Sequence, residues 1–179
     1  MNIPQSVNYR TNIPNSVVTR ITAGAFLSCG NKVLMMKRGL HKEMAPGMWA
    51  GIGGHIDLTD INNPRAIDLT ETCCREVYEE TGIPKSAIKD LKLRYIAVRL
   101  IDNQVRWHHH YFGEIENEVS LQECTEGELH WVNKSEILDL PMTTSVKEAV
   151  KHWIQNPHED AIFMVAVSPN NETAVVSML

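Results

Sequence analysis

The 179-residue sequence predicts an α+β sandwich, on three observations. Strand-like runs and helical runs follow one another without the regular strand–helix–strand alternation of a doubly wound sheet. One helical run, ending at Gly82, has a continuous apolar face and an acidic edge, the pattern of a helix laid on a sheet. Short turn signals, Gly30-Asn31 and Asp102-Asn103, join neighbouring runs rich in β-branched residues, which marks hairpins.

The elements follow in order. Residues 1–16 are polar and contain Pro4 and Pro14 in a near-repeat, Asn2-Ile3-Pro4-Gln5-Ser6-Val7 and Asn12-Ile13-Pro14-Asn15-Ser16-Val17. Two short copies are too few for a repeat architecture, so an extended arm is expected. Residues 17–29 read as a strand and Val33–Met36 as its returning partner. His41–Met48 is a loop around Pro46-Gly47, and the Gly-rich stretch Trp49–Ile56 is expected to thread close to a ligand or another backbone. The helix has two candidate starts, Asn63-Pro64 and the capping box Asp68-x-x-Glu71. At about 100° per residue, Ala66, Ile67, Leu69, Cys73, Cys74, Val77 and Tyr78 fall on one arc. Glu76 and Glu80 flank that arc and Glu79 lies further out. Gly82 suits the C′ position and Pro84 stops the helix from resuming. Strands are expected at 91–100, 104–115 and Glu128–Val132, a helical turn at Ser135–Leu138, and a helix from Ser145-x-x-Glu148 to Ile154. Ala161–Val167 and Thr173–Met178, around Pro169-Asn170-Asn171, read as a terminal hairpin. The expected organisation is an arm (1–16), a domain (17–156) and a hairpin extension of that domain (157–179). The hairpin leaves two readings open: pairing with a second subunit in a homodimer, or a strand added to the edge of its own sheet.

Composition limits the function. With 43% apolar and 22% charged residues the chain resembles ordinary soluble domains, long enough for a substantial core. A net charge of −5 argues against a general nucleic-acid or membrane-surface binder, and an anionic substrate would need local cations. No apolar run approaches the ~20 residues of a membrane span. The N-terminus has neither the basic region nor the apolar run of a signal peptide. Cys29, Cys73, Cys74 and Cys124 lack zinc-type spacing, and Cys73-Cys74 reads as a pair of small buried thiols. A cytoplasmic enzyme acting on a small molecule is the expectation.

The densest chemical signal is Arg75-Glu76-Val77-Tyr78-Glu79-Glu80-Thr81-Gly82-Ile83. Glu76, Glu79 and Glu80 sit at i, i+3 and i+4 and share a helix edge. Like charges at that spacing repel by roughly a few tenths of a kcal/mol per pair. A divalent cation such as Mg²⁺, which prefers oxygen ligands, offsets that repulsion. The competing reading is a solvated acidic face.

Together with Gly53-Gly54-His55-Ile56-Asp57, this segment resembles the signature of the Nudix hydrolases, Gly-x5-Glu-x7-Arg-Glu-U-x-Glu-Glu-x-Gly-U with U aliphatic. Arg75, Glu76, Val77, Glu79, Glu80, Gly82 and Ile83 match every fixed position of its second half. The first half departs from it. Asp60 stands where Glu is usual, and fourteen residues rather than seven separate it from Arg75. Seven extra residues amount to about two helical turns, ~10.5 Å, and return to nearly the same face. They can lengthen the helix or the loop without rotating the glutamates. Lys37-Arg38, Pro46-Gly47-Met48-Trp49 and Glu126–Val132 extend the likeness over roughly residues 18–155.

The resemblance implies an α/β/α sandwich around a mixed sheet, with the terminal hairpin as an addition. It implies hydrolysis of a nucleoside diphosphate linked to another group, with Mg²⁺ or Mn²⁺ as cofactor. The metal would be held by Glu76, Glu79 and Glu80, the Gly53 carbonyl and Glu128 of the later strand. The general base is Glu76 or Glu79, with Glu126 or Glu128 as alternatives. Arg75, at i, i+4 from Glu79, belongs to the catalytic set as the partner that orients that carboxylate. Substrate-binding candidates are Arg38, Trp49, Gly54 and His55, where Trp49 also has a core reading. In His108-His109-His110, strand alternation turns the middle histidine away from the other two, which favours a structural role. Ala97-Val98-Arg99-Leu100 carries neither the proline of ADP-ribose-type members nor the tyrosine of dinucleoside-polyphosphate types. A MutT-like nucleoside triphosphate pyrophosphohydrolase, acting on ordinary or oxidised nucleotides, therefore leads, ahead of an ADP-ribose or nucleotide-sugar pyrophosphatase. An isopentenyl-diphosphate type of isomerase would carry a cysteine in Trp49–Asp57, and there is none. A non-catalytic nucleotide sensor would show a broken glutamate cluster, and this one is intact.

Overall fold

The computed structural model describes residues 18–57, 60, 69–101, 104–168, 170 and 172–179. Strand β1 (Val18–Cys29) turns at Gly30-Asn31 into β2 (Lys32–Arg38). Gly30 takes φ +56°, a left-handed conformation that a Cβ would disfavour. The C-terminal end of β1 pairs with β2, Leu27 opposite Leu34. Its N-terminal half pairs with β4 (Ile52–His55), Gly24 opposite Gly53. β3 (Trp49–Ala50) and β7 (Gly127–Asn133) both pair with β2.

Two long strands, β5 (Lys89–Ile101) and β6 (Gln104–Glu114), form an antiparallel pair, with a bulge near Asp90. β6 runs parallel to β1 along its length, from Val18 opposite Gln104 to Ser28 opposite Glu114. β8 (Phe163–Val167) lies parallel to β5, and β9 (Ala174–Met178) is antiparallel to β8. The terminal hairpin therefore extends the chain's own sheet. The sheet order is β3-β2-β1-β6-β5-β8-β9, with β4 on β1 and β7 on β2.

Alternation along β1 divides the core in two. Ala23, Ala25 and Leu27 face helix α1 (Leu69–Thr81), which packs Cys73 and Val77 on them together with Ile52, Ile83 and Tyr111. Phe26 faces helix α2 (Thr144–Gln155), whose Val146, Ala149, Val150 and Trp153 cover it with Tyr95, Phe112 and Phe163. Each fully buried side chain of this size contributes roughly 1.5–3 kcal/mol. The result is a mixed sheet between two helices, the α+β sandwich the sequence predicts.

Some details differ. Tyr78 is 58% exposed, so the buried arc of α1 is narrower than the sequence pattern suggests. α2 starts at Thr144 behind the N-cap Thr143, and Ser145 lies inside the first turn, 3% exposed. Its hydroxyl meets Thr143 Oγ1 at 3.4 Å instead of closing a capping box. The expected helical turn is a short 3₁₀ turn at Ile137–Asp139. All four cysteines are free, and Cys73 and Cys74 are buried. Gly82 ends α1 with φ +76°, its N–H donating to Tyr78 O at 2.8 Å. The arm at 1–16, the Asn63-Pro64 and Asp68 helix starts, and the Asp102-Asn103 turn lie outside the described residues. No described helix is long and apolar enough to cross a membrane.

Candidate active site

β4 and the exposed edge of α1 meet across the N-terminal half of β1. A Cβ on Gly53 would collide with the backbone of Ala23 and Gly24, and one on Gly54 with the Glu76 carboxylate. Gly53 is therefore needed for the strand to lie this close to β1, while a side chain at Gly54 would push the Glu76 carboxylate aside. Gly54→Ala is expected to displace the Glu76 carboxylate and to lower kcat/KM about 10²-fold, the cost of a misplacement near 1 Å. Steady-state kinetics beside an unchanged far-UV spectrum would check it.

Burial and a backbone contact fix Glu80. The side chain is 7% exposed, and its Oε2 accepts the Gly53 N–H at 3.1 Å. Burial first, then the neighbouring Glu76 and Glu126, push its carboxyl pKa up to about 8. Glu76 is also shifted upward by burial, against the opposing pull of Arg75. Glu79 is more open, its side chain 55% exposed.

Arg75 joins the carboxylates of this edge. Its Nε and one terminal nitrogen donate to the two oxygens of Asp60, each at 2.9 Å. The same terminal nitrogen reaches Glu76 Oε1 at 3.0 Å and the His55 carbonyl at 3.1 Å. The other terminal nitrogen reaches Glu79 Oε2 at 2.9 Å. The guanidinium is thus committed to orienting carboxylates. Asp60, 5% exposed, also accepts the Asp57 N–H at 2.8 Å. The Arg75 hydrogen bonds hold its carboxyl down at about 2. A shorter acid in place of the usual glutamate thus still reaches Arg75 of the signature segment.

Two joined cavities open on this edge. The first, of about 510 Å³, is lined by Gly53–Asp57, Arg75, Glu76, Glu79, Glu80 and Glu123–Glu126. The second, of about 400 Å³, shares Gly53, Gly54, His55 and Glu126 with it and runs along the α2 face of the sheet. Of the substrate-binding candidates, Gly54 and His55 line both cavities and Arg38 lines the second. Arg38 Nε donates to the Met44 carbonyl at 2.9 Å. Burial, Arg20, Arg106 and Arg38 all lower the His55 pKa.

Trp49 and Glu128 are not brought to these cavities. Trp49 packs against the core under α2, its ring 5.1 Å from that of His130. Glu128 projects from β7 beside His130, 3.4 Å away, with its side chain 72% exposed. Glu126, just before the strand, lines both cavities instead and is ion-paired to Lys42. Glu123, which the sequence pattern did not single out, lines the first.

His108 and His110 stack on one face of β6, ring centroids 6.3 Å apart. His109 points to the other face and meets the Thr22 carbonyl at 3.3 Å. His108 Nδ1 and Thr22 Oγ1 hydrogen-bond at 2.7 Å. Burial lowers His108 to about 4 and His110 to about 3, so both rings are neutral at physiological pH.

The donor set fits a hard divalent cation. Glu76 Oε2, Glu79 Oε1 and Glu80 Oε1 carry no hydrogen bond among the described residues, and all three carboxylates line one cavity. They are not yet converged, since among the described residues no three acidic, histidine or cysteine side chains surround one point.

A mixed sheet between two helices, with a carboxylate edge set against a glycine strand, defines a helix–sheet–helix enzyme with its site at one margin of the sheet. The family model described as the NUDIX domain matches residues 18–154, and the chain belongs to that family as a pyrophosphohydrolase. In fold it is similar to a MutT protein from Bacillus halodurans, at 22% identity over 89% of this chain and 97% of that one, TM-score 0.63. A NUDIX hydrolase from Alicyclobacillus acidocaldarius superposes with TM-score 0.65 at 15% identity, covering 79% and 94% of the two chains. An Ap4A hydrolase from C. elegans does so with TM-score 0.57 at 14% identity, covering 75% and 96%.

Proposed function

We propose that the chain hydrolyses a nucleoside diphosphate linked to another moiety, in a reaction that depends on Mg²⁺ or Mn²⁺. The observation that carries this reading is that Glu76, Glu79 and Glu80 line one cavity against Gly53-Gly54. These carboxylates, with the Gly53 carbonyl, would hold the ion; when bound, it neutralises the diphosphate and acidifies the attacking water. Glu76 or Glu79 takes the proton from that water. Arg75 holds both carboxylates in place, and Arg38 and His55 line the route to the second cavity, which receives the rest of the substrate. A MutT-like action on nucleoside triphosphates is the first specificity to test, with ADP-ribose and nucleotide sugars next. The domain is taken to span 17–156, with the arm before it and the hairpin 157–179 after it.

A panel of these compounds with Mg²⁺, read by product identification, tests the proposal. Turnover of at least one diphosphate bond is expected. No release of phosphate, pyrophosphate or nucleotide from any of them, together with Glu80→Gln indistinguishable from wild type, would sink it. Metal binding has its own readout. At Mg²⁺ or Mn²⁺ concentrations near 100 times the dissociation constant, the folded state gains about 2.7 kcal/mol. Thermal denaturation should show a rise in Tm that EDTA reverses; an unchanged Tm at millimolar metal would count against the ion.

A further inference from the structure

Lys42 stands at the junction of the two cavities. It belongs to the loop between β2 and β3, whose Lys42, Met44 and Ala45 wall the second cavity. Its ammonium is ion-paired with Glu126 Oε2, and Glu126 lines both cavities. A substrate with its diphosphate at the glutamates and its other moiety in the second cavity passes directly by this pair.

The pair is not what holds the loop. The Gly39 N–H donates to the Glu126 carbonyl at 2.9 Å. Arg38 closes the loop on itself: its N–H donates to Met48 O at 2.9 Å, its carbonyl accepts the Gly47 N–H at 3.0 Å, and its Nε donates to Met44 O at 2.9 Å. Beside these bonds, an ion pair whose side chains are 23% and 38% exposed adds little, because solvent screens it. Its larger consequence is electrostatic. Glu126 is among the neighbours that raise the Glu80 carboxyl, so its charge is felt at the glutamate edge. For a phosphate at the junction, Glu126 repels and Lys42 attracts, and while they are paired the two effects oppose each other.

An exchange of partners removes the conflict. Glu126 suits a hard divalent cation, and a lysine ammonium suits a phosphate oxygen as a point charge. Lysine carries three rotatable donors on a flexible four-carbon stem, so it can change partner without loop movement. Arg38, with its Nε committed to Met44 O, is less free to do so.

We infer that Lys42 is a diphosphate-binding residue held in reserve by Glu126: its ammonium leaves the carboxylate for a phosphate oxygen once Glu126 is engaged at the glutamate edge. The inference rests on the hydrolase reading above and deepens it, by naming a ligand for the phosphate nearest the second cavity. It also implies an order. Glu126 keeps anion affinity low until a divalent cation is bound, so the cation precedes the substrate.

The test has two arms. In the first, inorganic pyrophosphate is titrated by calorimetry into metal-free full-length protein in EDTA. Glu126→Gln is expected to bind it about tenfold more tightly than wild type, and adding Lys42→Met to remove that gain. In the wild-type background Lys42→Met is expected to change affinity by about threefold or less. Amide spectra matching wild type establish folding, and Lys42→Gln or Glu126→Ala replaces any variant that misfolds. Equal effects of Lys42→Met in both backgrounds, a gain that survives the double substitution, or no binding in any variant overturns the inference.

In the second arm, steady-state kinetics with Mg²⁺ use a compound that the protein turns over. Lys42→Met is expected to raise KM about tenfold with kcat nearly unchanged, and Lys42→Arg to recover most of the loss. An unchanged KM beside a Tm lowered by more than about 4 °C would make the pair a loop fastening, and would overturn the inference. Pyrophosphate coupling between Lys42 and Glu126 without turnover of any compound supports the reserve ligand and sinks the hydrolase reading. Turnover without that coupling does the reverse.

Discussion

Glu80→Gln is expected to lower kcat/KM by about 10³-fold, roughly 4 kcal/mol of transition-state stabilisation, with the fold intact. Gln keeps an oxygen that accepts the Gly53 N–H, now 3.1 Å from Glu80 Oε2, so the strand–helix contact persists. What disappears is the negative charge, in a site that is 7% exposed and bordered by Glu76 and Glu126. That charge is unfavourable without a cation, which gives the variant a stability signature opposite to its activity. Glu80 has its carboxyl raised to about 8 in the folded protein, against an ordinary value of 4.5. A raised acid pKa means that the folded state holds the proton longer than the unfolded state. The metal-free wild type should therefore lose stability as pH rises from 4.5 to about 8. Glu80→Gln should flatten that slope, and saturating Mg²⁺ should reverse it. Denaturant titrations at pH 5 and pH 8, with and without EDTA, read all three effects. A variant with wild-type turnover, or a wild type whose metal-free stability is level across this range, would contradict the placement of Glu80.

Much of this site is legible in the sequence because it is local. The helical phase of Glu76, Glu79 and Glu80, the end at Gly82 and the pairing of Arg75 with Glu79 all lie within nine consecutive residues, where a 3.6-residue period suffices. The hairpin of β1 and β2 and the terminal pair β8–β9 were likewise readable from turn signals and strand-forming runs. What was not legible depends on register between distant strands. Glu126 rather than Glu128 reaches the cavity because β7 pairs Lys37 with Glu128 along an open face, while Glu126 sits where the chain enters the strand. Tyr78 lies at the margin of the apolar arc, and its exposure is set by how closely α1 approaches the sheet. Arg20 and Arg106 lie far apart in the sequence, and only the parallel β1–β6 pairing makes them neighbours. The Glu80 contact with Gly53 has the same origin, since no local pattern reports which strand a helix edge will touch.

Arg75→Gln is expected to damage stability and activity together, through different partners. The arginine gives Asp60 two hydrogen bonds of 2.9 Å, and Asp60 is 5% exposed, so removing the guanidinium strands a buried carboxylate. Breaking a buried pair on one side costs roughly 3–5 kcal/mol. Arg75 is itself 27% exposed, which admits solvent to the pair and places the expected loss nearer roughly 2–3 kcal/mol. For a chain of this length that lowers Tm by about 5–10 °C. The pH dependence has a definite sign. Asp60 is held at about 2 against an ordinary 3.8, so its contribution is present above 3.8 and lost as pH falls through about 2. Without Arg75 this group protonates at higher pH, and acid unfolding should begin earlier. Activity falls because Glu76 and Glu79 lose the donor that orients them, at 3.0 and 2.9 Å, an effect of the 10–100-fold size typical of groups that position metal ligands. Arg75→Lys should rescue little, since one ammonium cannot match a planar fork that reaches Asp60, Glu76 and Glu79 at once. Adding Asp60→Asn to Arg75→Gln removes the stranded charge and should restore much of the Tm but none of the turnover. Recovery of both in the double variant would mean that Arg75 acts on the glutamates only by way of Asp60, and its direct contacts with Glu76 and Glu79 would then contribute nothing measurable.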